Sequence, residues 1–135
     1  MDTLTPSQRS TRMSLIHGSE TKPEMVMRQF IRDLGFRFTV NRADLPGTPD
    51  LVFEKRRKVI FVHGCFWHRH NRCSLARLPK SRLDFWEPKL ARNRARDSLN
   101  RRNLTKQGWK SLVIWECELR NPFKVMMKTL AFLEE

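Results

Sequence analysis

Asp50 and the run His63-Gly64-Cys65-Phe66-Trp67-His68 hold most of the side chains in this sequence that could do chemistry. Asp50 follows a proline-containing loop and opens an apolar run, so its carboxylate would project at the edge of a sheet, a usual place for a metal-binding acid. A hydrated Mg2+ held there would neutralise charge developing on a phosphate under attack. Histidine is the side chain best suited to move protons near neutral pH, which makes His63 and His68 candidates for acid–base work. Glu24 and Asp97 are the other groups that could converge on Asp50. Taken singly, each acid has a plainer role: Asp50 starts a strand, Glu24 completes a helix cap, and Asp97 pairs with neighbouring arginines.

A second set of ligands overlaps the first. Cys65, His68, His70 and Cys73 lie in one loop, and Cys117 lies just past the last strand. Zinc takes four Cys or His ligands in a tetrahedron, so two thiols and a histidine from the loop, closed by Cys117, would tie that loop to the sheet. A full shell leaves no place for a reacting water, so the role would be structural. The competing reading is small buried thiols with surface histidines, and the C-x4-H-x2-C spacing does not decide between them. Phe66-Trp67 and Phe85-Trp86 are aromatic pairs among basic residues, suited to stacking on bases or wedging between them. Trp109 and Trp115 belong to an apolar strand and read as core.

The elements that must position these groups can be read from periodicity. Thr21-Lys22-Pro23-Glu24 fits a capping box, and Met27, Phe30, Ile31 and Leu34 follow at helical spacing until Gly35. Phe36, Phe38 and Val40 alternate as in a strand, and a loop spans Asn41 to Pro49. Asp50–Glu54 and Lys58–Val62 form a hairpin around the basic turn Lys55-Arg56-Arg57. A long basic helix is predicted from about Glu87 to Gln107, on a stripe of Leu90, Ala91, Ala95, Leu99 and Leu104. Trp109–Trp115 reads as a buried central strand, and Asn121-Pro122 opens a last helix carrying Phe123, Met126, Leu130 and Leu133. The order α-β-β-β-α-β-α predicts an α/β fold in which helices flank a mixed β-sheet. Residues 1–18 read as a basic arm, flexible without a partner, ahead of a single domain over 19–135.

Bulk properties narrow the partners. The chain has 135 residues, with 27 Lys and Arg against 14 Asp and Glu, a formal net charge of +13 that favours a polyanion. No apolar run approaches the roughly 20 residues a membrane span requires, and no charged-then-apolar signal segment opens the chain, so a cytoplasmic protein is expected. Three cysteines, an odd number, point to reduced thiols rather than a disulfide framework.

Four motifs in order carry a specific resemblance: Leu45-Pro46-Gly47-Thr48-Pro49-Asp50, Phe61-Val62-His63-Gly64-Cys65-Phe66-Trp67-His68, Asn93-Arg94-Ala95-Arg96-Asp97 and Trp115-Glu116-Cys117. Together they resemble the very-short-patch repair (Vsr) mismatch endonucleases of bacteria, over about Arg9 to Arg120. The resemblance implies a restriction-endonuclease-like fold and an Mg2+-dependent nick on the 5′ side of the thymine in a T·G mismatch left by deaminated 5-methylcytosine. It implies Asp50 and the main-chain carbonyl of Val62 as Mg2+ ligands, His68 as the proton-transfer residue and His63 as an assistant at the phosphate. Asp97 would orient a catalytic histidine, and Glu24 would hold metal-bound water. Cys65, His70, Cys73 and Cys117 would hold a structural Zn2+, although an extra residue before Cys73 leaves open whether His68 or His70 faces it. Phe66, Trp67 and Trp86 would form a wedge at the mismatch. The implied partner is mismatched double-stranded DNA near the nucleoid, met by a monomer, with mismatch-repair proteins as candidate partners. Glu54-Lys55-Arg56 imitates the glutamate-x-lysine pair of ordinary restriction nucleases, but it shares a strand with Asp50, and a histidine, His63, stands where the lysine belongs. Two rivals remain: a nuclease of the same fold with other DNA specificity, and a zinc-stabilised DNA-binding module without catalysis.

Overall fold

The computed structural model of the chain describes residues 21–66, 68, 70, 73 and 82–135. The arm read over residues 1–18, and Trp67, lie outside the described residues. The elements run α1 (Lys22–Asp33), β1 (Thr39–Val40), β2 (Leu51–Phe53), β3 (Lys58–His63), α2 (Leu83–Lys106), β4 (Lys110–Trp115) and α3 (Pro122–Glu134), in the predicted order. Short 3-10 turns at Glu54–Arg56 and Glu116–Arg120 link β2 to β3 and β4 to α3.

The sheet has the order β1-β2-β3-β4, antiparallel except for the parallel β3–β4 pair that α2 bridges. Side chains of a strand alternate between faces, and the two cores follow that parity. Leu51, Phe53, Ile60 and Val62 pack with Ile114 under Met27 and Ile31 of α1 and Val125 and Leu133 of α3. Val52, Val59 and Phe61 face the other way, onto Leu45, Trp109 and Leu104 of α2. His63 continues the Val59–Phe61 row and therefore turns toward α2. Ile60 is fully buried, and truncating such a residue to alanine typically costs about 2–5 kcal/mol.

α1 starts where Thr21 Oγ1 accepts the Glu24 N–H at 3.4 Å, and Gly35, at φ 88°, ends it. The last helix is tied down from the sheet. Buried Lys58 sends its Nζ to the carbonyl oxygens of Phe132 at 2.6 Å and Glu135 at 3.1 Å, and Arg56 Nη1 reaches Leu133 O at 2.9 Å. These donors satisfy carbonyls that a helix C-terminus leaves without intrahelical partners.

Four expectations need correction. α2 begins at Leu83, a turn before Glu87, with Pro88 inside it, so Phe85 and Trp86 are helical. Its inward stripe is Leu90, Asn93, Asp97, Asn100 and Leu104, whereas Leu99 is 53% exposed and Ala91 and Ala95 face solvent. In the middle of that stripe Asp97 meets His68 and Asn100 lies against Gly47, so polar side chains stand there instead of apolar ones. β4 is an edge strand among the described residues, and Trp115 is only half-buried. α3 buries Val125, Thr129 and Leu133, leaving Phe123 68% exposed. Among the described residues, no helix is long and apolar enough to cross a membrane.

Candidate functional site

Asp50 is held at the point where β2 and β3 diverge. The loop before it turns through Gly47, at φ 79°, and Thr48, at φ 45°. A Cβ on Gly47 would come within 3.0–3.1 Å of Asn100 and Phe61, so only glycine lets the loop lie this close to α2 and β3. Asp50 Oδ2 accepts the Val62 N–H at 2.6 Å. Glu24, buried in the first turn of α1, ion-pairs with Arg28 at 3.1 Å and stands next to Asp50, whose carboxyl feels its presence. Burial first, and then the Glu24 carboxyl, push the Asp50 carboxyl up to about 9, so in the metal-free protein it keeps its proton near neutral pH. One buried and one partly buried carboxyl side by side fit a hard divalent cation, whose charge would take the place of the retained proton.

The next residue after Val62 opens the second cluster. His63 is buried, and its ring stacks on His68 with centroids 3.8 Å apart and planes 6° from parallel. Burial, with help from His68 and Arg101, lowers His63 to about 3, and Asp97 only partly offsets this. His63 is thus a neutral hydrogen-bonding group, and its Nδ1 is buried with no partner among the described residues. His68 sits one turn on, its N–H bonded to Gly64 O at 3.1 Å, and its Nδ1 lies 2.5 Å from Asp97 Oδ2. This contact assigns a ring proton to Nδ1 and turns Nε2 away from Asp97, the orientation of a proton-transfer group. A cleft of about 580 Å3 is lined by His63, His68, His70 and Asp97 and by Arg94, Arg101 and Arg102 of α2. Arg101 is steadied by Ser111, with Nε 3.1 Å from Oγ.

The thiols form the third cluster. Single ligand atoms of Cys65, His70, Cys73 and Cys117 all lie within 4.8 Å of one another. His70 Nδ1 is 3.6 Å from Cys65 Sγ and 3.4 Å from Cys117 Sγ. A sulfur and a nitrogen on one tetrahedral zinc stand about 3.6 Å apart, so the donor set fits that ion. His70, not His68, is the imidazole placed among the thiols. Its ring stacks on Trp115 at 4.1 Å, and Glu116 Oε1 accepts the Cys65 N–H at 3.2 Å. Without a cation, burial pushes the Cys65 thiol up to about 12. Coordination by a dication removes thiol protons outright.

Phe66 and Trp86 meet edge to face at 5.3 Å, and Phe85 packs on Trp86 at 4.9 Å, with Lys89 close to both rings of α2. Glu54, by contrast, is exposed and pairs with Arg42 at 3.3 Å, away from these clusters. Sequence reasoning missed Arg28, Arg101, Glu116 and the stacking role of Trp115. The strand register supplies a signal for Trp115, because the parallel pairing puts it beside His63.

Comparison with known proteins agrees with this geometry. The family model described as DNA mismatch endonuclease Vsr matches residues 1–74. The type II nicking enzyme V.XorIIP of Xanthomonas oryzae pv. oryzae is 49% identical over 118 residues, covering 87% of this chain and 86% of that protein. The type II nicking enzyme V.NmeAIP of Neisseria meningitidis serogroup A is 46% identical over 120 residues, covering 89% and 85%. DNA mismatch endonuclease Vsr of Escherichia coli K12 is 39% identical over 122 residues, covering 90% and 78%. With relatives of this identity along most of its length, and with its acid and histidine clusters set side by side at the end of one strand, the chain is a DNA endonuclease of the Vsr family.

Proposed function

We propose that this endonuclease nicks one strand of duplex DNA 5′ to the thymine of a T·G mismatch, using Mg2+ at Asp50 and a structural Zn2+ at Cys65, His70, Cys73 and Cys117. The observation that carries the reading is the junction at Val62-His63. Asp50 accepts the Val62 N–H, and the next residue stacks on the His68–Asp97 pair, so a cation-binding acid and an oriented base stand at one strand end. The ion, held by Asp50 and the Val62 carbonyl, would neutralise charge building on the phosphate.

The chain's own groups do the rest. His68 Nε2 takes a proton from the attacking water, and Asp97 holds the ring and stabilises the imidazolium that forms. Neutral His63 offers a hydrogen bond at the phosphate rather than a charge. Glu24 fixes water beside Asp50. Arg94, Arg101 and Arg102 draw the DNA backbone toward the cleft. Phe66, Trp67 and Trp86 part the mismatched pair, at about a few kcal/mol per unstacked step. The net charge of +13 supports a mainly electrostatic, salt-sensitive grip on DNA by a monomer in the cytoplasm, with mismatch-repair proteins as candidate partners.

Several relatives are named as type II nicking enzymes, which favours a second specificity: a mismatch inside one short recognition sequence rather than any T·G pair. Labelled duplexes with T·G or T·A at one position, in varied flanking sequence and with Mg2+, test both readings. A nick only in T·G duplexes is expected. Equal cutting of matched DNA would overturn the mismatch reading, and cutting in a single flanking context would support the narrower one.

A further inference from the structure

Arg28 occupies an inward position of α1, one turn after Glu24, where helix packing alone would be served by an aliphatic side chain. The ion pair is almost wholly buried, its side chains 7% and 3% exposed, with Nη2 3.1 Å from Glu24 Oε2. The other donors are poorly matched: Nη1 lies 3.4 Å from Met25 Sδ, and Nε is buried with no partner among the described residues. A guanidinium is retained in such a place when something nearby needs its charge. Glu24, buried, and Asp50, partly buried, supply that need, because they bring two carboxyl groups together at the end of β3 beside Val62.

Counting charges gives the consequence. Two ionised carboxylates and one divalent cation are already neutral. With Arg28 present the same set carries one excess positive charge, and neutrality is reached only when a DNA phosphate joins it. We propose that Arg28 is the resident counter-cation of the Asp50–Glu24 pair. It is a positioning residue that holds Glu24 toward Asp50 before the ion arrives, and it weakens ion binding until a phosphate is in place. The site would then load cation and DNA together, each raising the affinity for the other. This inference rests on the assignment of the cation to Asp50.

The test is titration of Mg2+ alone into the protein without DNA, followed by calorimetry and by the shift in thermal midpoint. The variants are Arg28→Met, Arg28→Gln, Arg28→Lys and Asp50→Ala. Removing a like charge from a dry site should lower the half-saturating Mg2+ concentration roughly tenfold in the two neutral variants. Arg28→Lys, which keeps the charge, should behave like the unaltered protein, and Asp50→Ala should show no saturable response. If the neutral variants unfold in chelator, added Mg2+ should restore folding, since it replaces the missing positive charge. Unchanged or weaker Mg2+ binding in the neutral variants, or failure of Mg2+ to restore them, would overturn the proposal while leaving the cation at Asp50. A saturable response that survives in Asp50→Ala would overturn that assignment too, whatever the nicking assay shows.

Discussion

The acid cluster and the thiol cluster flank the same end of the sheet and differ in what holds them. Asp50 is fixed by the Val62 N–H where a loop meets β2, and Glu24 by Arg28 within α1, both against elements that pack onto the core. Cys65, His70, Cys73 and Cys117 come from a loop and a 3-10 turn, and their contacts are mostly with one another and with Trp115. The first arrangement is shaped before any ion binds, so its ion would supply chemistry. The second gathers four donors from irregular chain, so its ion would supply shape.

Substitutions on the two sides should therefore fail differently. Asp50→Ala should show the largest effect, a loss of nicking of about a thousandfold or more, with DNA binding in chelator at fixed salt within about threefold of the unaltered protein. Single-turnover nicking and a binding titration would measure both, and a parallel loss of binding would break the division. His68→Ala should cost about a hundredfold to a thousandfold in kcat, and Asp97→Asn less, with the thermal midpoint little changed. Cys117→Ser should do the reverse. Zinc content should fall by elemental analysis and the midpoint by several degrees, while activity per folded molecule survives.

The smallest effect is a pH dependence of stability in the absence of metal. The folded pKa of Asp50 is raised to about 9, so its contribution is complete below the unfolded value near 3.8 and is lost as pH climbs through 9. His63 runs the other way: lowered to about 3, its contribution is complete above 6.5 and is lost as pH falls toward 3. Metal-free protein should thus lose stability in mild alkali in a way that Asp50→Asn removes, as urea titrations from pH 6 to 9 would show. An identical slope in both proteins would detach Asp50 from that behaviour.

The strands and end helices were legible because their apolar residues recur at periods of two or about 3.6, and the β2–β3 hairpin was foreseen with its basic turn. The α2 stripe escapes a search for apolar recurrence, which passes over Asn93, Asp97 and Asn100; these face inward at helical spacing, with Asp97 on His68 and Asn100 on the loop before Asp50. Arg28 was invisible for a related reason, since a charged residue on a helix reads as solvent-facing until its partner is known. β4 reads as central because its apolar run is unbroken, yet that run reflects helices on both faces rather than strands on both sides. Spacing could not choose between His68 and His70, because the choice depends on the turn after Cys65 that swings one ring to Asp97 and the other to Cys117.

α2 also acts as a ruler. It carries Trp86 near one end and Asp97 eleven residues on, within one unbroken helix. At the helical rise this separation is about 16 Å. On the proposed reading, one rigid helix carries both the ring that parts the base pair and the acid that orients the base cutting beside it. Lengthening the rod by one turn between those residues would pull either Trp86 from Phe66 or Asp97 from His68, so that recognition and chemistry could no longer be served at once.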